Sequence, residues 1–175
     1  MNQFFELTNQ ILFSRALYVA ADLSIADYLH EKACSLKELA TLTSTDIASL
    51  ERLLYYLMLN NIFRKYSAEL YHNTDLSDFM RAAHPGTIRP FLLHDDETRW
   101  NAIGNLGYSI KSGKPSFDYL YGSDYFSYLK RHPLLSSRFD EAMNIISDQE
   151  DNVIASSVHF EGTIADIGGG PRKAS

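Results

Sequence analysis

Cysteine is nearly absent: Cys34 is the single one in 175 residues. That excludes an internal disulfide and points to a reducing, cytoplasmic setting. The six histidines are scattered, without the close spacing of a metal site, so no metal ligands are expected. No apolar run approaches the roughly 20 residues of a membrane-spanning helix. Asn2, Gln3 and Glu6 stand where a secretion signal would carry basic and then apolar residues. Basic residues are also short, 16 against 22 acidic, for a net charge of −6. This is the wrong balance for a protein that tracks a phosphate backbone. Neither a membrane nor a nucleic acid is expected as a partner.

What the chain does have is apolar and aromatic. The apolar share of 45% is ample for a core, and eleven Tyr and ten Phe raise the aromatic share to 13%. Such an excess can fill a core, line a pocket or build a subunit interface.

Residues 3–31 carry helical periodicity, with a break near Asp22 to Ser24. Phe4, Leu7, Ile11, Ser14 and Tyr18 form one stripe, and Leu12, Ala16, Val19 and Leu23 a second. Two stripes on one helix imply burial on more than one side, as at a subunit interface. Ser35-Leu36-Lys37-Glu38 is a capping box opening a short helix to about Leu42. Thr43 to Asp46 reads as a polar turn that caps a helix from Ile47 to Asn60. Its buried stripe is expected at Ile47, Leu50, Leu54 and Leu57, and its exterior at Tyr55, Tyr56 and Met58. Two short strands, 62–66 and 69–72, follow around a turn at Ser67-Ala68. Helix, helix and hairpin make a winged-helix arrangement.

Beyond it, a short helical piece is expected over 75–81, one or two helices over 87–111 carrying Trp100, and a break at Gly113-Lys114-Pro115. A short helix over 123–131 ends before Pro133. A long helix then runs over 134–157 with Leu135, Phe139, Ala142 and Ile146 inward. Residues 163–167 read as a buried strand. The run Ile164-Ala165-Asp166-Ile167-Gly168-Gly169-Gly170 is then an apolar strand, an acid and a glycine turn that lets backbone approach a ligand closely. Such a loop works within an open α/β sheet, yet only Pro171 to Ser175 follow. The expected fold class is therefore mainly α: a winged-helix-containing helical domain with a short β-hairpin. After it come the first strand and glycine loop of an incomplete Rossmann-like α/β domain.

Several ordered segments carry a family resemblance. They are Ala20 to Leu29, Ser35 to Ala40, Leu50 to Leu54, Trp100, Gly113-Lys114-Pro115 with Phe117, and Tyr125-Phe126. Phe139 to Met143, Phe160-Glu161-Gly162 and Asp166 to Gly170 complete the series. With these the chain resembles the plant-type O-methyltransferases that also occur in bacteria and depend on S-adenosylmethionine (SAM). The resemblance implies a dimerisation domain over 1–110, linking helices over 111–160, and the truncated start of a SAM-binding domain over 161–175. It also implies a homodimer through the N-terminal helices and a small-molecule, aromatic hydroxyl substrate. Asp166, Gly168 and Gly170 take the place of the loop under the cofactor's methionine half, with Ser147 a further cofactor-side candidate. Met143, Asn144 and Phe139 on the linking helix are the substrate-side candidates.

No catalytic residue is expected in this chain. The family's base is a histidine far beyond the glycine loop, and none of His30, His72, His84, His94, His132 and His159 matches it. The chain as a 175-residue polypeptide is thus expected to be an inactive dimerisation fragment that does not bind SAM. Its tail is what an out-of-frame ending could look like; an excised segment and a dimerisation protein retained for its own sake are the other accounts. A rival reading, a winged-helix DNA-binding regulator, is disfavoured by the helix over 46–60. That helix sets Arg52 alone against Asp46 and Glu51.

Overall fold

The structure, a computed structural model, describes residues 2–66 and 69–157, with side chains described for 3–66, 69–147 and 157. The chain divides into two compact units, residues 1–93 and 94–175.

The first unit opens with helix α1 (Asn2–Asp22), followed by α2 (Ile25–Glu31), strand β1 (Cys34–Ser35), α3 (Leu36–Thr43) and α4 (Ile47–Leu59). Strands β2 (Phe63–Tyr66) and β3 (Leu70–Asn73) and helix α5 (Asp75–Asp78) follow. Helix α6 (Arg89–His94) ends across the boundary between the units. The break after α1 falls where expected: Ser24 adopts a left-handed φ of 55° and separates the two helices. Arg89 secures the break, donating from Nε to the Ala21 carbonyl at 3.1 Å and from Nη2 to Ser24 Oγ at 2.8 Å. The Ala21 carbonyl, which also accepts from the Ser24 amide at 3.1 Å, thereby gains a second partner.

The capping box is present. Glu38 N–H donates to Ser35 Oγ at 3.3 Å, and Ser35 N–H donates to Glu38 Oε2 at 2.8 Å. Asp46 caps α4 by accepting from Ser49 N–H at 2.8 Å. Along α4 the buried stripe is Leu50, Leu54 and Leu57. Ile47, expected in that stripe, is 46% exposed because the burial begins one turn later. Tyr56 and Met58, expected outside, pack against the core, and Tyr56 meets the edge of Phe13 from α1 at 6.3 Å. Tyr55 stays exposed.

The three strands form an antiparallel sheet in the order β1-β3-β2, with Cys34 opposite Tyr71 and Phe63 opposite Asn73. The expected turn at 67–68 lies outside the described residues. β1 was not expected: a two-residue strand has no alternation to read. The core of this unit sits where α2, α3, α4 and the sheet converge on Ile25, Leu39, Leu54, Leu57 and Phe63. Cys34 is fully buried there, and burial pushes its thiol above the ordinary range, the signature of a structural rather than a reactive cysteine.

The second unit contains α7 (Glu97–Gly104), α8 (Leu106–Ser112), α9 (Ser116–Tyr121), α10 (Tyr125–Arg131) and α11 (Pro133–Ser157). The stretch expected to hold one or two helices thus holds three, α6 to α8. α9, between two glycines, was not expected because its six residues span fewer than two helical turns. Gly113 and Gly122 both end helices at φ 69°, a conformation that glycine adopts without a Cβ clash. Proline opens α11, where its missing N–H costs nothing. Ala142 is fully buried on α11 and Leu135 and Phe139 are half-buried, whereas Ile146 is 37% exposed rather than inward. The expected strand and glycine loop, 163–170, lie outside the described residues.

Candidate functional site

The site candidates divide along α11. Phe139, Met143 and Ser147 recur every four residues and so share one face of the helix. Phe139 and Met143 are half-buried and Ser147 is exposed. Asn144 lies on a neighbouring face. It lines an open groove of about 450 Å³ together with Ser137, Asp140, Leu129 and Lys130. The structure therefore does not bring Asn144 into one cavity with Phe139. Asp166, Gly168 and Gly170 lie outside the described residues.

Phe139 is the residue with a built environment. Its ring meets His94 at 5.4 Å, and it meets Tyr125 and Phe126 edge-on at 5.8 Å each. These are ordinary attractive geometries for aromatic pairs. Phe117 extends the cluster, touching Tyr121, Tyr125 and Tyr128 at 4.6, 5.0 and 5.3 Å. Tyr125 and Phe117 also line a cavity of about 240 Å³ with Arg99, Ala102 and Ile103.

Sequence reasoning missed His94. It is 6% exposed, and its Nε2 has no hydrogen-bond partner among the described residues. Burial, and then the positive charge of Arg99, hold the imidazole below its ordinary range, although Asp95 and Asp96 act in the opposite sense. The ring is therefore neutral at pH 7. The two acids are already engaged. Asp95 pairs with Arg99 Nε at 2.9 Å, and Asp96 caps α7 by accepting from the amides of Thr98 and Arg99 at 2.7 and 3.2 Å. Burial likewise raises the Tyr125 hydroxyl above its usual value. One signal in the sequence could have shown the residue, since His94 closes the apolar run Phe91-Leu92-Leu93.

The winged-helix surface gives a DNA reading little to work with. Arg52 donates to its neighbour Ser49 at 3.2 Å. Arg64 and Lys65 lie over the Tyr66 and Tyr71 rings, at 4.9 and 5.0 Å. A different surface is conspicuous. The first half of α1 exposes Phe4, Phe5, Leu7, Ile11 and Leu12, each more than half accessible.

The first unit is thus a helical domain with a small antiparallel sheet whose leading helix keeps the large apolar residues of its first half exposed. Residues 5–82 match the O-methyltransferase dimerisation domain. A relative from Pseudomonas aeruginosa, phenazine-1-carboxylate N-methyltransferase, is 32% identical over 158 residues, 90% of this chain and 47% of its own length. The crystal structure of LaPhzM matches with a TM-score of 0.87 at 24% identity, over 91% of this chain and 48% of that one. At that identity the likeness concerns the fold. The O-methyltransferase NcsB1 of neocarzinostatin biosynthesis, solved with SAM and 2-hydroxy-5-methyl naphthoic acid, matches at 26% identity and a TM-score of 0.67, over 78% of this chain and 43% of that one. The chain spans about half the length of the curated relatives it matches. Among the described residues, no helix is long and apolar enough to cross a membrane.

Proposed function

We propose that this chain is the dimerisation and substrate-enclosing part of a SAM-dependent O-methyltransferase that methylates a hydroxyl of a small aromatic molecule. The observation that carries the reading is the exposed apolar half of α1, inside a segment that matches a dimerisation domain. A contiguous apolar surface of this kind on a folded domain marks an interaction site, and a second copy of α1 supplies the matching surface by symmetry.

In this reading 1–110 is the dimerisation part, 111–160 the linking helices and 161–175 the start of the cofactor domain. Met143 and Phe139 face the substrate, and Asp166, Gly168, Gly170 and Ser147 face SAM. Asn144 is the weakest of the substrate candidates, because its groove is separate from the Phe139 cluster. As a 175-residue polypeptide the chain is a cytoplasmic homodimer that does not turn over. The second reading, a dimerisation module acting in its own right, rests on the same surface. The two differ in whether SAM ever binds.

Light scattering tests the assembly and calorimetric titration with SAM tests the chemistry. The expected results are a mass of two chains at tens of micromolar and no heat with SAM. A mass of one chain overturns the dimer; SAM binding overturns the inactive fragment.

A further inference from the structure

His94 has a feature the fold does not explain. A polar atom sealed from water without a hydrogen bond is destabilising and rare in a native interior. Yet Nε2 of this 6% exposed imidazole has no partner among the described residues. Nor is the ring isolated. It lies against Phe139, Phe139 meets Tyr125, and Tyr125 lines the cavity of about 240 Å³ beside Arg99 and Phe117. A row of ring contacts thus links the His94 imidazole, through Phe139, to Tyr125 in the cavity lining.

The chemistry of the row limits what it can take. A cavity of this size falls below the roughly 300 Å³ at which sites for drug-sized ligands begin, so it suits a one- or two-ring molecule. Its apolar and aromatic lining suits a planar one. The charged residue of the lining, Arg99, is already paired with Asp95 at 2.9 Å, so the described lining offers no unpaired charge to a ligand and suits a neutral one. A neutral imidazole offers one lone pair and one N–H, and either can meet a hydroxyl.

We propose that His94 Nε2 is a specificity contact that hydrogen-bonds the hydroxyl of a neutral, one- or two-ring hydroxyaromatic ligand held among Phe139, Tyr125 and Phe117. This deepens the methyltransferase reading, on which it rests for taking that hydroxyl as the group to be methylated; binding itself requires neither SAM nor turnover. Reaching Nε2 requires the Phe139 or Tyr125 ring to turn aside.

The test is a fluorescence titration of the 175-residue chain with 2-naphthol and with naphthalene, which lacks the hydroxyl. The wild type is expected to bind naphthol at least about tenfold more tightly than naphthalene, the value of one hydrogen bond to a buried group. His94→Phe keeps the ring and its packing and removes the nitrogen. It is expected to lose that preference, bind naphthalene unchanged, and melt at the same or a higher temperature. A purely structural histidine predicts no change in naphthol affinity on this substitution, and that result overturns the proposal. Failure of the wild type to bind naphthol, or equal affinity for the two probes, also overturns it. Should His94→Phe not fold, the naphthol-to-naphthalene ratio of the wild type decides alone. Failure of the dimerisation reading shows separately, as a mass of one chain in light scattering.

Discussion

Replacing Ile11 by Asp tests whether α1 joins two chains. Ile11 is 58% exposed in the single chain, and full burial of an isoleucine side chain is worth about 1.5–3 kcal/mol. Covering the exposed share in a dimer therefore contributes about 0.9–1.7 kcal/mol per copy. A two-fold interface uses the same surface twice, so removing both copies costs about 2–3.5 kcal/mol, a weakening of roughly 25-fold to 350-fold in the dimer constant. Placing an unpaired carboxylate in the interface adds to this. The measurement is sedimentation equilibrium over a concentration series, with circular dichroism recorded alongside. Because Ile11 is exposed in the monomer, helix content should stay the same while the association constant falls. An unchanged constant would refute the assignment of α1 as the interface. A loss of helix would refute the claim that Ile11 plays no part in the fold of one chain.

Two other predictions concern the fold. Leu54→Ala removes a fully buried side chain from the centre of α4 and should destabilise by about 2–5 kcal/mol, read as a lowered urea midpoint; a loss below about 1 kcal/mol would mean that the site collapses around the change. Glu38 gives a pH dependence with a definite sign. The Ser35 amide, the Lys32 ammonium and the Ser35 hydroxyl hold its carboxyl at about 2, below its ordinary value. A depressed carboxylate contributes stability that is present above the unfolded value and is lost as pH falls toward the folded one. The gap in urea midpoint between wild type and Glu38→Gln should therefore be full at pH 6 and close between about pH 4.5 and pH 2; a gap constant across that window would exclude the link.

The parts of the fold that were legible in the sequence are those fixed by local chemistry. Ser35 with Glu38, Asp46 before Ile47, and Gly113 each satisfy or terminate backbone groups within a few residues, so the residues themselves mark the boundary. The parts that were not legible depend on contacts distant in sequence. β1 exists only because Cys34 and Ser35 meet Tyr71 and Leu70, and nothing in a two-residue segment announces that. Ile47 and Tyr56 exchange their expected exposure because burial follows the neighbours a face meets. Tyr56 finds Phe13 of α1, which a periodicity count along α4 cannot see.

The candidate site shows the same division. Phe139 could be named from its segment, but His94, 45 positions earlier, becomes meaningful only when folding sets its ring on Phe139. α1 carries the opposite lesson, because its division of labour is written along its length. Its second half turns Ala16, Ala20 and Ala21 inward, all buried, and small side chains let neighbouring elements approach closely. Its first half carries Phe4, Phe5, Leu7, Ile11 and Leu12, large and exposed. A helix that needed only its own domain would place its large apolar residues where that domain can cover them. This one sets Ala16, Ala20 and Ala21, with Phe13 and Leu17 beside them, against its own core and leaves the large residues of its first half beyond it, so burial of that half is gained only against another surface.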